Sequence, residues 1–317
     1  MIKNFYRSFI CGIKGFKISN KEKKFLKTYR PWGIILFSRN IKTIEQTQKL
    51  TNSIKLLFKN NNYPILIDEE GGRVSRLKHF IDSSIFTAKY FGDLFEKDKK
   101  KFEIYFNVYI KQISYLLKIL GININTVPVL DLRRNFTNKI INDRAYSDKK
   151  RKVSKIGDIC INGFHKNRIA TVIKHIPGHG LATVDSHKNV PVINKSFKYL
   201  INNDFQTFIN KKCLFAMTGH LLFKKLDIHN TVTHSKIIIK IIREKIGFKN
   251  LIITDDLSMK ALKFSIEENT KKSFQAGCNL ALHCNGNLNE MIIVAKNSPI
   301  VDKFILKKTS QLIDIIS

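Results

Sequence analysis

Three histidines, two lysines and an aspartate fall within 174-KHIPGHGLATVDSHKNV-190, in a chain with only nine histidines. Such a stretch admits a metal site, a phosphate cradle or a proton-transfer unit. His175 and His179 have the four-residue spacing of a zinc-binding helix, but Pro177, Gly178 and Gly180 oppose a helix there. A phosphate cradle runs its glycines straight into a helix, whereas these lead into more loop, 181-LATVDSHKNVPVI-193. What remains is Asp185 and His187. In an extended or turn conformation side chains two apart point the same way, so the Asp185 carboxylate can accept a hydrogen bond from one ring nitrogen of His187. That bond fixes the tautomer and leaves the other nitrogen to exchange a proton. A D-x-H pair also serves merely to order a surface loop; beside two glycines that let the loop move, it reads as an acid/base unit on a lid.

A second group is carried by 250-NLIIT-254, which runs into Asp255 and Asp256 and then 257-LSMKAL-262, read as the opening of a helix. One carboxylate suits a helix cap and the other a nucleophile. Asp255, first after the apolar run, is better placed to face a central site.

The elements that must position these groups are legible as eight short apolar runs: 8–15, 32–40, 63–72, 124–132, 169–175, 213–220, 250–257 and 279–286. Between them lie segments with apolar residues three and four apart, such as 41–59, 101–120 and 235–246. Strands apolar on both faces that alternate with helices predict a parallel sheet covered on both sides, and eight units predict an α/β fold of the (β/α)8 TIM barrel type. No G-x-G-x-x-G follows the first run, which weighs against an open dinucleotide-binding sheet. Six runs end in polar groups: Arg39 and Asn40, Asp68, Asp131, Lys174 and His175, His220, and Asp255. In a barrel all of these open on one rim, where active sites lie. Taken alone, Asp131 reads as a helix cap, and His220 and His283 as hydrogen-bonded core or rim histidines.

Composition narrows the setting. Hydrophobic residues make up 43% of the 317, enough to build a large core. Five dispersed cysteines without a C-x-x-C suggest neither disulfides nor a thiolate zinc site and fit a reducing compartment. Lys3, Arg7 and Lys14 interrupt any apolar run at the N-terminus, and no run is long enough to span a membrane, so a soluble cytoplasmic protein is expected. The net charge of +31 raises nucleic acid or an anionic surface as partner. The lysines are spread through the chain among isoleucines and asparagines, however, which reads as a compositional bias rather than a built patch.

The motifs 68-DEEGGRVSRL-77, 174-KHIPGHGLATVDSH-187 and 254-TDDLSMKAL-262, supported by 33-GIILFSRNI-41, 126-TVPVLDL-132, 143-DRAYSD-148, 216-AMTGH-220 and 276-AGCNLALHCN-285, resemble those of the glycoside hydrolase family 3 β-N-acetylglucosaminidases. These are single-domain barrel enzymes of bacterial peptidoglycan recycling, and the order and spacing agree over roughly residues 8 to 290. The resemblance implies one barrel domain over 1–317 and retaining hydrolysis through a covalent glycosyl-enzyme. It implies Asp255 as nucleophile, His187 as acid/base held by Asp185, and Asp68, Arg76, Arg144, Lys174 and His175 as sugar-binding groups, with no metal or cofactor. Most glycosidases use two carboxylates instead. Two-domain relatives take the acid/base from a C-terminal domain; this chain ends soon after the eighth run, so the proton donor is expected from the barrel's own loops.

Three positions depart from the family's pattern: Glu69 stands for Gln, Ile176 for Phe and Asn142 for Gly. Each alters packing or charge without removing a catalytic group, and activity is expected. The pair 71-GG-72 reads as a tight turn. The implied substrate is a small carbohydrate, an N-acetylglucosamine-containing muropeptide, and a monomer is expected. The rivals are a phosphorylase using the same covalent step, another family 3 glycosidase, and a non-catalytic basic protein binding nucleic acid or an anionic surface.

Overall fold

The computed structural model describes residues 5–134, 141–184 and 189–317. Eight parallel strands close into a barrel: β1 (Arg7–Gly12), β2 (Pro31–Leu36), β3 (Ile65–Ile67), β4 (Ile124–Asn125), β5 (Ala170–Ile176), β6 (Phe215–Thr218), β7 (Leu251–Asp256) and β8 (Leu280–His283). Each lies beside its neighbour in sequence, and β8 returns to pair with β1. Every predicted run overlaps one strand. The predicted helices form at Ile44–Phe58, Lys99–Ile119 and Lys236–Glu244, each started by a side chain that accepts from a first-turn N–H: Thr43, Asp98 and Ser235.

Alternation along the strands divides the core. Val172, Phe215, Leu251, Ile253, Leu280 and Leu282 pack together inside the barrel, while their neighbours Ile173, Ala216, Ile252 and Ala281 face the surrounding helices. The helix Lys303–Ile316 closes the end where the strands begin: Val301, Ile305 and Leu312 join the interior cluster, and the Trp32 indole Nε1 donates to Thr309 Oγ1 at 2.8 Å. With that end sealed, a ligand must enter from the end where the strands finish. Among the described residues no helix is long and apolar enough to cross a membrane.

Two local expectations are corrected. Residues 257–262 form turns rather than a helix, and the next helix begins at Ile266 behind the Ser265 cap. The Asp256 carboxylate accepts from the Ser258 N–H at 3.1 Å and the Ser258 hydroxyl at 2.8 Å, a local turn that competes with helix formation. Asp131 caps no helix: it is fully buried and accepts from His175, because β4 and β5 run side by side.

Leu312 is 0% exposed at the sealed end, far along the chain from the rim residues. Leu312→Ala is expected to cost about 2–5 kcal/mol of stability in urea unfolding while leaving turnover unchanged at low temperature. A cost near zero would mean that the C-terminal helix is not part of the core.

Candidate active site

The same alternation that fills the barrel with apolar layers places polar groups one layer higher. Two residues beyond the interior Leu66, Val172 and Ile253 come Asp68, Lys174 and Asp255, and all three line a cavity of about 350 Å³ at the rim. Met217, Leu282 and Cys284 supply its apolar floor, and Arg76, Arg144, Glu70 and His175 its walls. His175 directly follows Lys174, and alternation would turn it outward. The ladder between β5 and β6 loses register between Lys174 and Ile176, and Lys174 and His175 both face the cavity.

Charges buried here are paired. Lys174 Nζ lies 3.0 Å from Asp68 Oδ1, 2.7 Å from Glu70 Oε1 and 2.9 Å from the Thr126 hydroxyl, which itself donates to Asp68. Arg144 grips Glu70 with two nitrogens, at 2.7 and 2.8 Å, and Arg76 lies 3.6 Å from the second oxygen of Asp68. Burial pushes the Asp68 and Glu70 carboxyls up, but Lys174 with Arg76 or Arg144 outweighs it and holds both below their ordinary values. Lys174 moves the complementary way: burial disfavours the ammonium, and the two carboxylates more than restore it.

Asp255 stands within this field. Its Oδ1 accepts the Asp256 N–H at 2.8 Å. Burial raises the carboxyl, and His220, His175, that N–H and Lys174 together bring it below the ordinary carboxylate value. His220 is fully buried, and desolvation pushes its imidazole below the ordinary value. The His220 ring is satisfied by the Thr233 hydroxyl at 2.8 Å and the Asp256 carbonyl at 3.0 Å. His175 donates from Nδ1 to Asp131 at 2.7 Å, which fixes its tautomer, and Asp131 also accepts the His179 N–H at 2.6 Å. Burial drives the His179 imidazole down to about 4, so it is neutral at physiological pH.

Of the predicted site residues, Asp68, Arg76, Arg144, Lys174, His175 and Asp255 converge on one cavity. Asp185 and His187 lie outside the described residues. The flanks of their loop are described. Gly180 packs against the Leu132 backbone so tightly that a Cβ would sit 2.3 Å from its carbonyl oxygen. Beyond the loop, Val192–Ile193 pairs with Leu222–Phe223. Arg39 and Asn40 hold rim loops by donating to the Ile13 carbonyl rather than lining the cavity. The Gly71 and Gly72 turn forms, both residues having positive φ. Asn142, in place of the family's glycine, also has positive φ, at 22°.

Glu70 and Asp131 were missed as site residues. A carboxylate directly before the glycine pair was the available signal for Glu70. Nothing in the sequence marks Asp131 as the partner of a histidine 44 residues later. Among the described residues no group of three or more His, Cys, Asp or Glu side chains could hold a metal ion.

The chain is similar to known proteins over most of its length. The model of the glycosyl hydrolase family 3 N-terminal domain matches residues 7–314. A β-hexosaminidase of Psychromonas ingrahamii is 32% identical over 287 residues, covering 88% of this chain and 83% of the relative. One of Haemophilus ducreyi is 32% identical, covering 87% and 80%. The crystal structure of NagZ from Neisseria gonorrhoeae in complex with N-trifluoroacetyl-D-glucosamine superposes with a TM-score of 0.86 at 28% identity, covering 97% of this chain and 90% of that one.

The ion network sets a pH dependence. Asp68 and Glu70 have folded-state values below their ordinary 3.8 and 4.5, so the stability they supply is complete above those values and is lost as the pH falls through the lower folded ones. Glu70→Gln keeps the shape but removes the charge between Arg144 and Lys174. It is expected to cost about 3–5 kcal/mol at neutral pH, a gap that persists down to about pH 4.5 and closes below it. Coincident urea midpoints for the two proteins at neutral pH would contradict the pairing.

Proposed function

The chain belongs to glycosyl hydrolase family 3 and is a glycoside hydrolase, and we propose that it removes single terminal β-linked N-acetylglucosamine units, with retention, from peptidoglycan-derived muropeptides. The observation that carries this reading is the convergence of a half-buried carboxylate, Asp255, with Asp68, Arg76, Arg144, Lys174 and His175 on one small cavity closed from below. At about 350 Å³ it is near the lower end of ligand-site volumes and suits one sugar ring rather than a chain, which favours exo action.

In this reading Asp255, ionised under the field of Lys174, attacks the anomeric carbon as the glycosidic bond breaks, forming a glycosyl-aspartate ester. His187, positioned by Asp185 on the loop between Gly180 and Val192, gives its proton to the departing oxygen. The same imidazole then takes a proton from water as the ester is hydrolysed. Asp68 and Lys174 hold ring hydroxyls, and their hydrogen bonds strengthen as positive charge develops on the sugar. Holding these groups by one another before substrate arrives avoids reorganisation during reaction. All five cysteines are free and four are buried, which supports a site of action in the reducing cytoplasm. The names of the relatives support the sugar, and membership of a hydrolase family sets aside the non-catalytic reading. Action as a monomer belongs to the same proposal.

Asp255→Ala is expected to lower kcat by roughly 10³-fold or more with an unchanged unfolding midpoint, and a slow fluorinated N-acetylglucosaminide should label the peptide containing Asp255. Labelling elsewhere would remove it from the nucleophile role. His187→Ala should cost about 10²–10⁴-fold on a natural sugar leaving group and far less on an activated phenol. Equal losses would mean that the histidine only orders its loop. Rates with and without inorganic phosphate separate hydrolysis from phosphorolysis, and strong stimulation by phosphate would favour a phosphorylase.

A further inference from the structure

Glu69 is a buried acid that the mechanism does not use, and it stands where the family's pattern has glutamine. Its backbone is clamped from β4: the Asn125 side chain accepts the Glu69 N–H at 3.0 Å and donates to the Glu69 carbonyl at 2.9 Å. Its carboxylate meets no cationic side chain at hydrogen-bonding distance among the described residues. Instead one oxygen, Oε2, collects three donors from the following loop: the Arg76 N–H at 2.6 Å, the Leu77 N–H at 3.1 Å and the Ser75 hydroxyl at 3.1 Å. Arg76 therefore leaves the backbone from a turn set by Glu69. At the other end of that side chain, the guanidinium lies 5.4 Å from the centroid of the Phe37 ring, within cation–π range. That ring is itself held, because it also carries the Arg39 guanidinium at 4.7 Å, and Arg39 is bonded to the Ile13 and Cys284 carbonyls. The Arg76 Nε is buried and has no acceptor among the described residues.

We propose that Glu69 and Phe37 are positioning residues for Arg76, the first setting the backbone from which the side chain springs and the second setting where its guanidinium rests over the cavity. The inference rests on the reading of Arg76 as a sugar-binding group. Because the contact needs an acceptor oxygen and not a charge, Glu69→Gln retains it and Glu69→Leu removes it.

The test is a double-mutant cycle on the whole enzyme, with kcat and KM measured on an aryl N-acetyl-β-glucosaminide and folding checked by unfolding midpoint. Arg76→Ala is expected to lower kcat/KM about 10–100-fold, as for a lost charged hydrogen bond. Glu69→Leu and Phe37→Leu should each lower it about 5–20-fold, divided between KM and kcat in the same proportion as for Arg76→Ala, while Glu69→Gln stays within about twofold. In the Arg76→Ala background, adding Glu69→Leu or Phe37→Leu should cost less than about twofold, because the residue they position is gone. Losses that multiply in the double variants, or Glu69→Gln as damaging as Glu69→Leu, would overturn the inference while leaving Arg76 as a sugar-binding group. A harmless Arg76→Ala would overturn both readings. Should Glu69→Leu fail to fold, the Phe37→Leu cycle and the Glu69→Gln comparison decide.

Discussion

Lys174 brings a positive charge into the barrel mouth, and the arrangement of the site follows from the need to neutralise it. A buried ammonium is tolerated only when carboxylates and hydrogen-bond acceptors surround it. Here Asp68 and Glu70 do so from β3 and the turn after it, with Thr126 from the end of β4. Two carboxylates packed together need further cations, which Arg144 and Arg76 supply from two different rim loops. With Asp255 and Arg73 included, four cations and three carboxylates line one cavity. The rim loops are thereby fixed by charge pairing rather than by an apolar core.

This division runs through the whole barrel. Below the rim the interior is apolar and layered, and the C-terminal helix seals its lower end. Above it the next layer is ionic. Apolar burial supplies most of the folding free energy and is indifferent to small changes in direction. Charged hydrogen bonds contribute less net stability but are directional, which suits groups that must meet a sugar at fixed positions.

Much of the fold was legible because the chemistry of its strands is local. Runs such as 250-NLIIT-254 and 169-IATVIKH-175 are apolar on both faces, and only a covered parallel sheet buries both. Two-residue alternation then carries Asp255 and Lys174 inward without any knowledge of the rest of the chain. Failure came where a local competitor or a distant partner decided the outcome. Asp256 draws Ser258 into a turn, so the helix read at 257–262 does not start. Asp131 follows an apolar run as a cap would, yet it binds His175 on the adjacent strand.

By itself the sequence determined the barrel, the rim on which chemistry sits and the carboxylates, histidines and arginines available there, because each follows from periodicity or from a motif contiguous in the chain. Only the tertiary structure decided which of them hold one another: Glu70 between Arg144 and Lys174, Asp131 behind His175, and Glu69 beneath the turn that carries Arg76. Apart from the Glu69 turn, those pairings join residues dozens of positions apart, and they exist because barrel closure brings strand ends and rim loops within hydrogen-bonding reach, a distance that no local pattern encodes.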